Sequence, residues 1–328
     1  MSQAAVIINP SKPVDVNHVR TLVEDHSRRA GWRAPLWFET TPEEPGTTQA
    51  EKAVAAGVDV VIVGGGDGTV RYAARGLTHS GIPMVLLPLG TGNLLARNLD
   101  VPRNHIENNI AAAFTGVDSA IDVGWLELHR PSDPEMTGDH IFLVLSSLGF
   151  GGDIMAHTDE KLKKRLGWLA YFVAGAKNWR GKRIRVLLAV DDHPPVRRRQ
   201  RTVLVGNCGR IMGGLTLLPD AIIDDGWLDV SIMDPRGGIF GWTRMFGEVV
   251  RQGMPKTRFT PRSRTIENTR CRSVTIVSPT LQQAQVDGDP IGAAQGLTAR
   301  VDPGALLLRT PSPSPSRRQR TQLGLKHD

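Results

Sequence analysis

The stretch VIVGGGDGTV, residues 61–70, places four glycines, an aspartate and a threonine directly behind an apolar β-branched run. A backbone without Cβ atoms can approach a ligand closely and adopt positive φ, so several peptide N–H groups can converge on one anion. At the end of a buried strand, such a run predicts a phosphate-binding loop. The alternative is that the glycines serve only a tight strand-to-helix turn.

Working outward, short apolar runs alternate with amphipathic segments up to about residue 118, which is typical of βα units over a parallel sheet. Strands are predicted at residues 4–8, 36–38, 58–63 and 82–87. The last strand runs into a second glycine loop, PLGTGN, at residues 88–93. Both loops follow strands and precede helical segments, at the edge where open α/β sheets bind ligands. We expect the two loops to face one nucleotide.

From residue 119 the pattern changes to strands of mixed alternation with turn residues between them, which predicts an antiparallel β-sandwich. Two helices are predicted in this half, at residues 159–178 and 239–252. The final apolar run, GALLLRTP at residues 304–311, is a strand that could pair with either half. The predicted fold class is therefore α/β plus all-β.

The chain has 328 residues and a formal net charge of +7, which suits phosphate, nucleic acid or an anionic membrane surface without choosing among them. Basic residues concentrate at KLKKR (161–165), at VRRRQR (196–201) and in the Pro/Ser-rich tail (311–328), which we expect to be disordered. Cys208 and Cys271 match no metal or redox spacing and indicate reduced thiols. No apolar run approaches a bilayer span and no signal peptide is evident, so we expect a cytoplasmic protein.

The first glycine loop is neither a Walker A loop nor GxGxxG. Contacts to phosphate must then come from backbone amides, Thr69 and distant basic residues. Because Asp67 would repel a bare phosphate, we expect its carboxylate to hold a ribose hydroxyl or to meet Mg²⁺. His105, His140 and His157 have no spaced partners and are assigned no metal role.

The ordered series of motifs carries a resemblance to a known family. VIVGGGDGTV, LLPLGTGNLLARNL, AIDVGW, LGFGGDI, GNCGRIMGGLTLLPDAIIDDGWLDV and VDGDP together resemble the bacterial diacylglycerol kinases, relatives of the YegS-like lipid kinases and sphingosine kinases. The resemblance implies a Rossmann-like parallel-sheet domain followed by a β-sandwich, with the last segment returning to the first domain. The predicted division is a nucleotide-binding domain at 1–120 completed by about 292–310, a lipid-substrate sandwich at 121–291, and the tail at 311–328.

The resemblance also implies site residues, with ATP and Mg²⁺ as cofactors. The residues expected to border the nucleotide are Asn9, Pro10, Gly64, Gly65, Gly66, Asp67, Gly68, Thr69 and Thr91. A threonine in the turn after the second strand does so in relatives, and Thr40 is preferred here over Thr41. The expected Mg²⁺ ligands are the Asp225 side chain and the carbonyls of Ile222 and Trp227. Asp122 aligns with a carboxylate that relatives use in a water-linked network near that metal.

Two positions depart from the family's pattern. The family's proton acceptor is a Glu in VDGE, whereas this chain has Asp289 in VDGDP, which is one methylene shorter. Most relatives have Asn-Glu where this chain has Arg71 and Tyr72. Asp289 remains the predicted catalytic base, because phosphoryl transfer to an alcohol needs one carboxylate able to take the hydroxyl proton. Taken alone, VDGDP fits an ordinary acidic turn better than a catalytic site, and only its place in the ordered series of motifs favours the catalytic role.

The predicted function is an ATP-dependent lipid kinase that phosphorylates a hydroxyl of diacylglycerol or a related lipid, in peripheral contact with the membrane. The helix at 159–178 and VRRRQR are candidates for that contact, against the alternatives of a core helix and an exposed hairpin. One rival is an NAD kinase, although no Asn-Glu pair follows the loop. Another is a non-catalytic nucleotide or lipid sensor. Nucleic-acid binding through the tail is a third; no specific nucleic acid is expected, and a homodimer is left open.

Overall fold

A computed structural model of the chain describes residues 1–103, 105–130, 138–149, 183–211, 215–234 and 266–311, with isolated positions between 240 and 247. The helix predicted at 159–178, most of the helix predicted at 239–252 and the tail beyond Pro311 lie outside the described residues. In the described part of the chain, no helix is long and apolar enough to cross a bilayer.

The first half of the chain is a parallel sheet covered by helices on both faces. Its elements are β1 (Gln3–Ile8), α1 (Val16–Arg29), β2 (Arg33–Glu39), α2 (Thr47–Ala55), β3 (Val60–Gly65), α3 (Asp67–Leu77), β4 (Met84–Pro88), α4 (Leu94–Asn98) and α5 (Ile106–Thr115). The four strands are parallel in the order β4-β3-β1-β2. Helices α1 and α5 pack on one face and α2 and α3 on the other, which is why β3 is buried along its whole length.

The second half is antiparallel. Its strands are β5 (Val117–His129), β6 (Asp139–Phe142), β7 (Leu145–Gly149), β8 (Ile184–Val190), β9 (Val196–Gln200), β10 (Thr202–Gly206), β11 (Leu228–Met233), β12 (Ile266–Cys271), β13 (Ser273–Val286) and β14 (Asp289–Thr310). They enclose a core of their own that includes Leu126, Phe142, Val203, Ile276 and Leu297. The predicted fold class, a parallel α/β sheet plus a C-terminal β-sandwich, is confirmed.

Strand β14 joins the two halves. Along most of its length it pairs with β5 on one side and β13 on the other, both antiparallel. Near its end, Leu308 pairs with Met84 of β4 in parallel register. The final apolar run, which from sequence could pair with either half, therefore pairs with both. One continuous hydrogen-bonded sheet links the sandwich to the parallel strands.

The apolar residues of HIFLVLSSLGF, residues 140–150, predict one strand, but β6 ends at Phe142 and β7 begins at Leu145. The carboxylate of Asp287 accepts hydrogen bonds from the backbone N–H groups of Leu143 and Val144 at 2.9 Å and of Leu145 at 3.0 Å. These donors therefore face a side chain rather than a neighbouring strand, which explains the interruption. Apolar periodicity could not reveal it, because the acceptor lies more than 140 residues away in the chain.

Candidate active site

A cleft of about 760 Å³ opens at the carboxyl ends of the parallel strands. The loops after β1, β2, β3 and β4 line it on one side, and the turn between β13 and β14 lines it on the other. Of the predicted nucleotide-binding residues, the lining includes Asn9, Pro10, Thr40, Gly66, Asp67, Gly68, Thr69 and Thr91. Thr41 lines it as well, so the choice between the two threonines stays open. Gly64 and Gly65 lie within β3, beneath the loop.

The two glycine loops touch each other through their backbones. A Cβ placed on Gly90 would lie 2.6 Å from the Cα of Gly66, and one on Gly65 would lie 2.5 Å from the Cβ of Thr69. The N–H of Leu89 also donates to the carbonyl of Gly65 at 2.9 Å. Gly65 and Gly90 thus have the packing role that the simpler interpretation of the loop gives them. Gly66 and Gly68 line the cleft, where the absence of a side chain leaves space for a ligand.

Asp67 links the first loop to the second. Its carboxylate accepts hydrogen bonds from the N–H of Asn93, at 2.9 Å, and from the N–H of Leu94, at the beginning of α4. Burial, together with the nearby Asp287 and Asp289, raises the pKa of Asp67 to about 6, although these hydrogen bonds act to lower it. The carboxylate expected to hold a ribose hydroxyl or Mg²⁺ therefore caps a helix in this structure.

The beginning of α3 has no such cap. Its N-cap residue is Gly66, which has no side chain to accept a hydrogen bond from the first turn. The first N–H groups of a helix have no partner within the helix, so they are available to an anion in the cleft. Lys12 also lines the cleft, with its Nζ 3.7 Å from where a Cβ on Gly66 would lie. Lys12 was missed from sequence, where a lone lysine after the first strand carried no distinguishing signal.

Asp289 reaches the cleft from the sandwich. Asp287 and Gly288 have φ angles of 48° and 91° and connect the paired residues Val286 and Asp289. This is the Asp-Gly pattern of a two-residue hairpin turn in which both central residues have positive φ. The Oδ2 atom of Asp289 lies 3.2 Å from where a Cβ on Gly68 would be. The acidic turn and the predicted catalytic base are therefore the same feature, and it lies beside the glycine loop.

Arg71, identified from sequence only as a departure from the family, contacts this turn. Its Nη2 lies 2.9 Å from Asp289 Oδ2, and its Nη1 donates to the carbonyl of Val286 at 3.1 Å. The side chain is only 6% exposed. Burial alone would lower the pKa of Arg71, but Asp287 and Asp289 outweigh it and raise the pKa. The guanidinium is therefore a fixed positive charge between the two lobes. Tyr72, the other departure, lines the cleft.

The predicted metal ligands lie elsewhere. The cleft lining does not include Ile222, Asp225 or Trp227. Asp225 accepts a hydrogen bond from the N–H of Trp227 at 3.1 Å and forms an ion pair with Arg270. Asp122 is buried and accepts hydrogen bonds from the N–H groups of Gly226, at 2.6 Å, and Gly304, at 2.8 Å.

The residues around Asp225 do not fit a metal ion as they stand, because an ion there would have to displace the Arg270 guanidinium. Within the described ranges, no group of three or more His, Cys, Asp or Glu side chains could hold a metal ion. The metal set stays a prediction, and we derive no chemical step from it.

Comparison with known proteins agrees with this architecture. A model of the diacylglycerol kinase catalytic domain matches residues 3–126, and one of the YegS C-terminal NAD kinase beta sandwich-like domain matches residues 146–310. A crystal structure of a diacylglycerol kinase from Bacillus anthracis has a TM-score of 0.73 over 94% of this chain and 97% of that chain. At 19% identity it speaks for the fold alone.

Two relatives are named "Probable lipid kinase YegS-like". The one from Pseudomonas putida is 30% identical over 320 residues, covering 95% of this chain and 96% of the relative. The one from Pseudomonas fluorescens Pf-5 is 31% identical over 338 residues, with the same coverage. These matches confirm the resemblance seen in the motifs. The chain belongs to the bacterial diacylglycerol kinase family, in its YegS-like branch.

Proposed function

We propose that this protein is an ATP-dependent lipid kinase that transfers the γ-phosphoryl group to a hydroxyl of diacylglycerol or a related lipid. The observation that carries the proposal is the position of Asp289, whose carboxylate lies in the cleft beside Gly68 of the glycine loop. A carboxylate next to a phosphate-binding loop is what phosphoryl transfer to an alcohol requires. The names of the relatives support a lipid as the acceptor.

The phosphates are bound, in this proposal, by the uncapped beginning of α3 and by Lys12. Backbone N–H groups of a helix beginning attract anions through both hydrogen bonding and the helix dipole. The loop at residues 90–92 lines the same cleft and adds bare backbone on the opposite side. The side chain of Asn9 donates to Thr69 Oγ1 at 3.3 Å and fixes that hydroxyl at the rim of the site.

Asp289 is the carboxylate of the cleft lining best suited to accept a proton. Asp67 is engaged by Asn93 and Leu94, and Asp287 by the backbone of residues 143–145. The side chain of Asp289 is 52% exposed, and Arg71 contacts only its Oδ2. Its Oδ1 remains for the acceptor hydroxyl, whose proton it takes as the hydroxyl oxygen attacks the γ-phosphorus. Mg²⁺, when bound, would supply neutralisation of charge on the transferred group.

The acceptor is an amphiphile, so we further propose a peripheral protein that meets its substrate at the cytoplasmic surface of the membrane. The outer face of the β8–β9 hairpin supports this, since Arg185 lies opposite Arg199 and Leu187 opposite Arg197. All four side chains are exposed. Exposed arginines beside apolar side chains suit an anionic lipid surface.

The proposal is tested by incubating the purified full chain with γ-labelled ATP and Mg²⁺ and a panel of acceptors. Diacylglycerol and a sphingoid base are offered in mixed micelles, and NAD is offered in solution. We expect label in a lipid product and none in NAD. Labelled NADP would instead identify an NAD kinase, and nucleotide binding without any turnover would identify a sensor. Removing residues 312–328 should leave lipid phosphorylation unchanged, whereas loss of DNA retention on that deletion would support the nucleic-acid alternative.

A further inference from the structure

We infer that Arg71 is a positioning residue for Asp289, fixing the turn that carries the acid against the helix that follows the glycine loop. The inference rests on the proposed function and deepens it. Arg71 belongs to α3 in the first lobe, and the turn belongs to the sandwich. The guanidinium therefore connects the element that binds phosphate to the element that carries the base.

Arg71 determines the orientation of the turn at residues 286–289 as well as its distance from α3. Val286 and Asp289 are the paired residues on either side of the turn, and Arg71 bonds to both, through Nη1 and Nη2 respectively. A guanidinium is planar and its donors form a rigid fork, so two contacts on one turn determine how that turn is rotated. The arginine side chain is itself 6% exposed. Surrounding atoms thus limit its rotamers, and it can hold the carboxylate in place.

The turn is held from a second direction as well. Between Val286 and Asp289, Asp287 accepts three backbone hydrogen bonds from residues 143–145. Asp289 therefore lies two residues after Asp287, which the sandwich holds in place, and Arg71 links Asp289 itself to α3. A carboxylate restrained in this way cannot swing freely, which favours proton transfer from a hydroxyl held in one orientation.

Charge supplies the second reason for an arginine at this position. Asp287 and Asp289 both add to the rise in the pKa of Asp67, and a triphosphate in the cleft would add further negative charge. Arg71 is a permanent cation within hydrogen-bonding reach of Asp289. Its positive charge offsets part of the negative charge that the acids and a bound triphosphate would bring together there.

The contact also joins the two departures from the family's pattern in this chain. The chain has Arg where most relatives have Asn, and Asp where the family has Glu, and these two side chains touch. A glutamate at position 289 would carry its carboxylate one methylene further into the space that the guanidinium occupies. We therefore regard Arg71 and Asp289 as one matched unit rather than two independent losses.

The test is a double-mutant cycle on the full chain, with Arg71→Met, Asp289→Asn and the double variant, assayed on the lipid acceptor. We expect Arg71→Met to lower kcat about 100-fold, the loss typical of a displaced catalytic group, and to leave the KM for ATP within about threefold. Arg71→Lys should recover about tenfold of the lost kcat, because it restores the charge but not the fork. The double variant should be no slower than Asp289→Asn alone.

Arg75→Met is the matched control, since Arg75 lies one turn further along α3, is exposed and bonds to the carbonyl of Asp139. It should stay within about threefold of the wild type. A double variant slower by the product of the two single losses would overturn the inference. So would a raised KM for ATP with unchanged kcat, which would make Arg71 a nucleotide ligand.

A readout without turnover separates this inference from the proposed function. Tm is measured for the wild type, the two single variants and the double variant. The Tm shifts should be non-additive: each substitution should shift Tm less when the other is already present than it does in the wild type. Additive Tm shifts would overturn the pairing even in a protein that phosphorylates no lipid. A wild type without lipid turnover but with coupled Tm shifts would contradict the proposed function and leave the pairing supported. Should Arg71→Met not fold, the same cycle is run with Arg71→Lys.

Discussion

Two acidic clusters in this protein are each organised by one arginine, and they are built in opposite ways. In the Arg71 cluster (Arg71, Asp67, Asp287 and Asp289), the arginine is 6% exposed and Asp289 is 52% exposed. In the Arg270 cluster (Arg270, Asp225 and Asp229), the arginine is 43% exposed, Asp225 is 20% exposed and Asp229 is 4% exposed. In the Arg71 cluster, a buried cation contacts an acid that is exposed to solvent. In the Arg270 cluster, an exposed cation contacts acids that are mostly buried.

The difference teaches what each cluster can do. A buried cation cannot leave, so the acid that it supports is available to a ligand at a fixed position. An exposed arginine is held weakly, because solvent screens its ion pairs and its side-chain entropy opposes them. Burial, with Asp220 adding to it, raises the pKa of Asp229 to about 6. The Arg270 cluster therefore places acids of low exposure beside a cation that solvent screens, and nothing in its geometry requires that cation to be arginine.

The largest expected effect is a difference in turnover between variants of the two clusters. Asp289→Asn should lower turnover about 10³-fold, because it removes the proton acceptor while keeping the side-chain shape. Asp225→Asn, the same chemical change in the other cluster, should lower turnover less than about tenfold. Steady-state kcat for the lipid acceptor is measured for both. Equal losses would mean that the two clusters act on the same step, and the contrast between them would fail.

The next effect concerns the loops that support the first cluster. Gly90→Ala should lower the free energy of unfolding by about 3 kcal/mol, because its Cβ would lie 2.6 Å from the Cα of Gly66 and backbone must move. ATP binding should weaken with it. Gly138→Ala is the control, since a Cβ there meets nothing within 4 Å. Denaturant unfolding and calorimetric ATP titration measure both. A Gly90→Ala protein as stable as Gly138→Ala would show that the loops are not in contact.

The sequence was sufficient to predict the elements that carry the Arg71 cluster. The glycine loop followed an apolar β-branched run, so its place at the end of a parallel strand was predictable from local pattern. The Asp-Gly turn was likewise local, since Asp287 and Gly288 adopt the φ angles that this pair tolerates. The sandwich was predictable as a class from its alternating strands.

The partners of the acids were not predictable in this way. Arg71 meets Asp289 across 218 positions of sequence, and Arg270 meets Asp225 across 45. Apolar periodicity predicts which face of an element is buried, but it carries no information on which charge faces it from another element. Asp67 is the clearest case, because its carboxylate accepts hydrogen bonds from Asn93 and Leu94, which are 26 and 27 residues away. From sequence it was expected to meet a ligand.

The third prediction follows from the buried position of Asp67 in the Arg71 cluster. It concerns the pH dependence of the free energy of unfolding. A pKa raised from 3.8 to about 6 means that the folded state binds this proton more tightly than the unfolded chain. The resulting stabilisation is complete below pH 3.8 and is lost as pH rises through 6. Asp67→Asn removes the titration and keeps one acceptor for the beginning of α4.

We therefore expect the unfolding free energy of the wild type, minus that of Asp67→Asn, to fall by about 2 kcal/mol between pH 4 and pH 7. Urea unfolding at several pH values measures the difference. The contribution from Asp229, which does not act on Asp67, is common to both proteins and cancels. A difference that stays constant with pH would show that Asp67 is not held in a buried setting, and would return it to the ligand role expected from sequence.

The smallest effect tests whether the cation of the second cluster is exchangeable. Arg270→Gln should change the free energy of unfolding by less than about 1 kcal/mol, because the Arg270 side chain is 43% exposed and solvent screens its ion pair. It should also increase the Tm shift caused by Mg²⁺ if Asp225 is a metal ligand, because the carboxylate would no longer be paired with Arg270. Arg272→Gln is the control, since Arg272 lies over the Trp227 ring, 5.0 Å from its centroid, and forms no ion pair with Asp225 or Asp229.

If Mg²⁺ shifts the Tm of neither the wild type nor Arg270→Gln, Asp225 is not a metal ligand. Arg270 would then be the cluster's permanent cation, and the two clusters would differ in exposure alone.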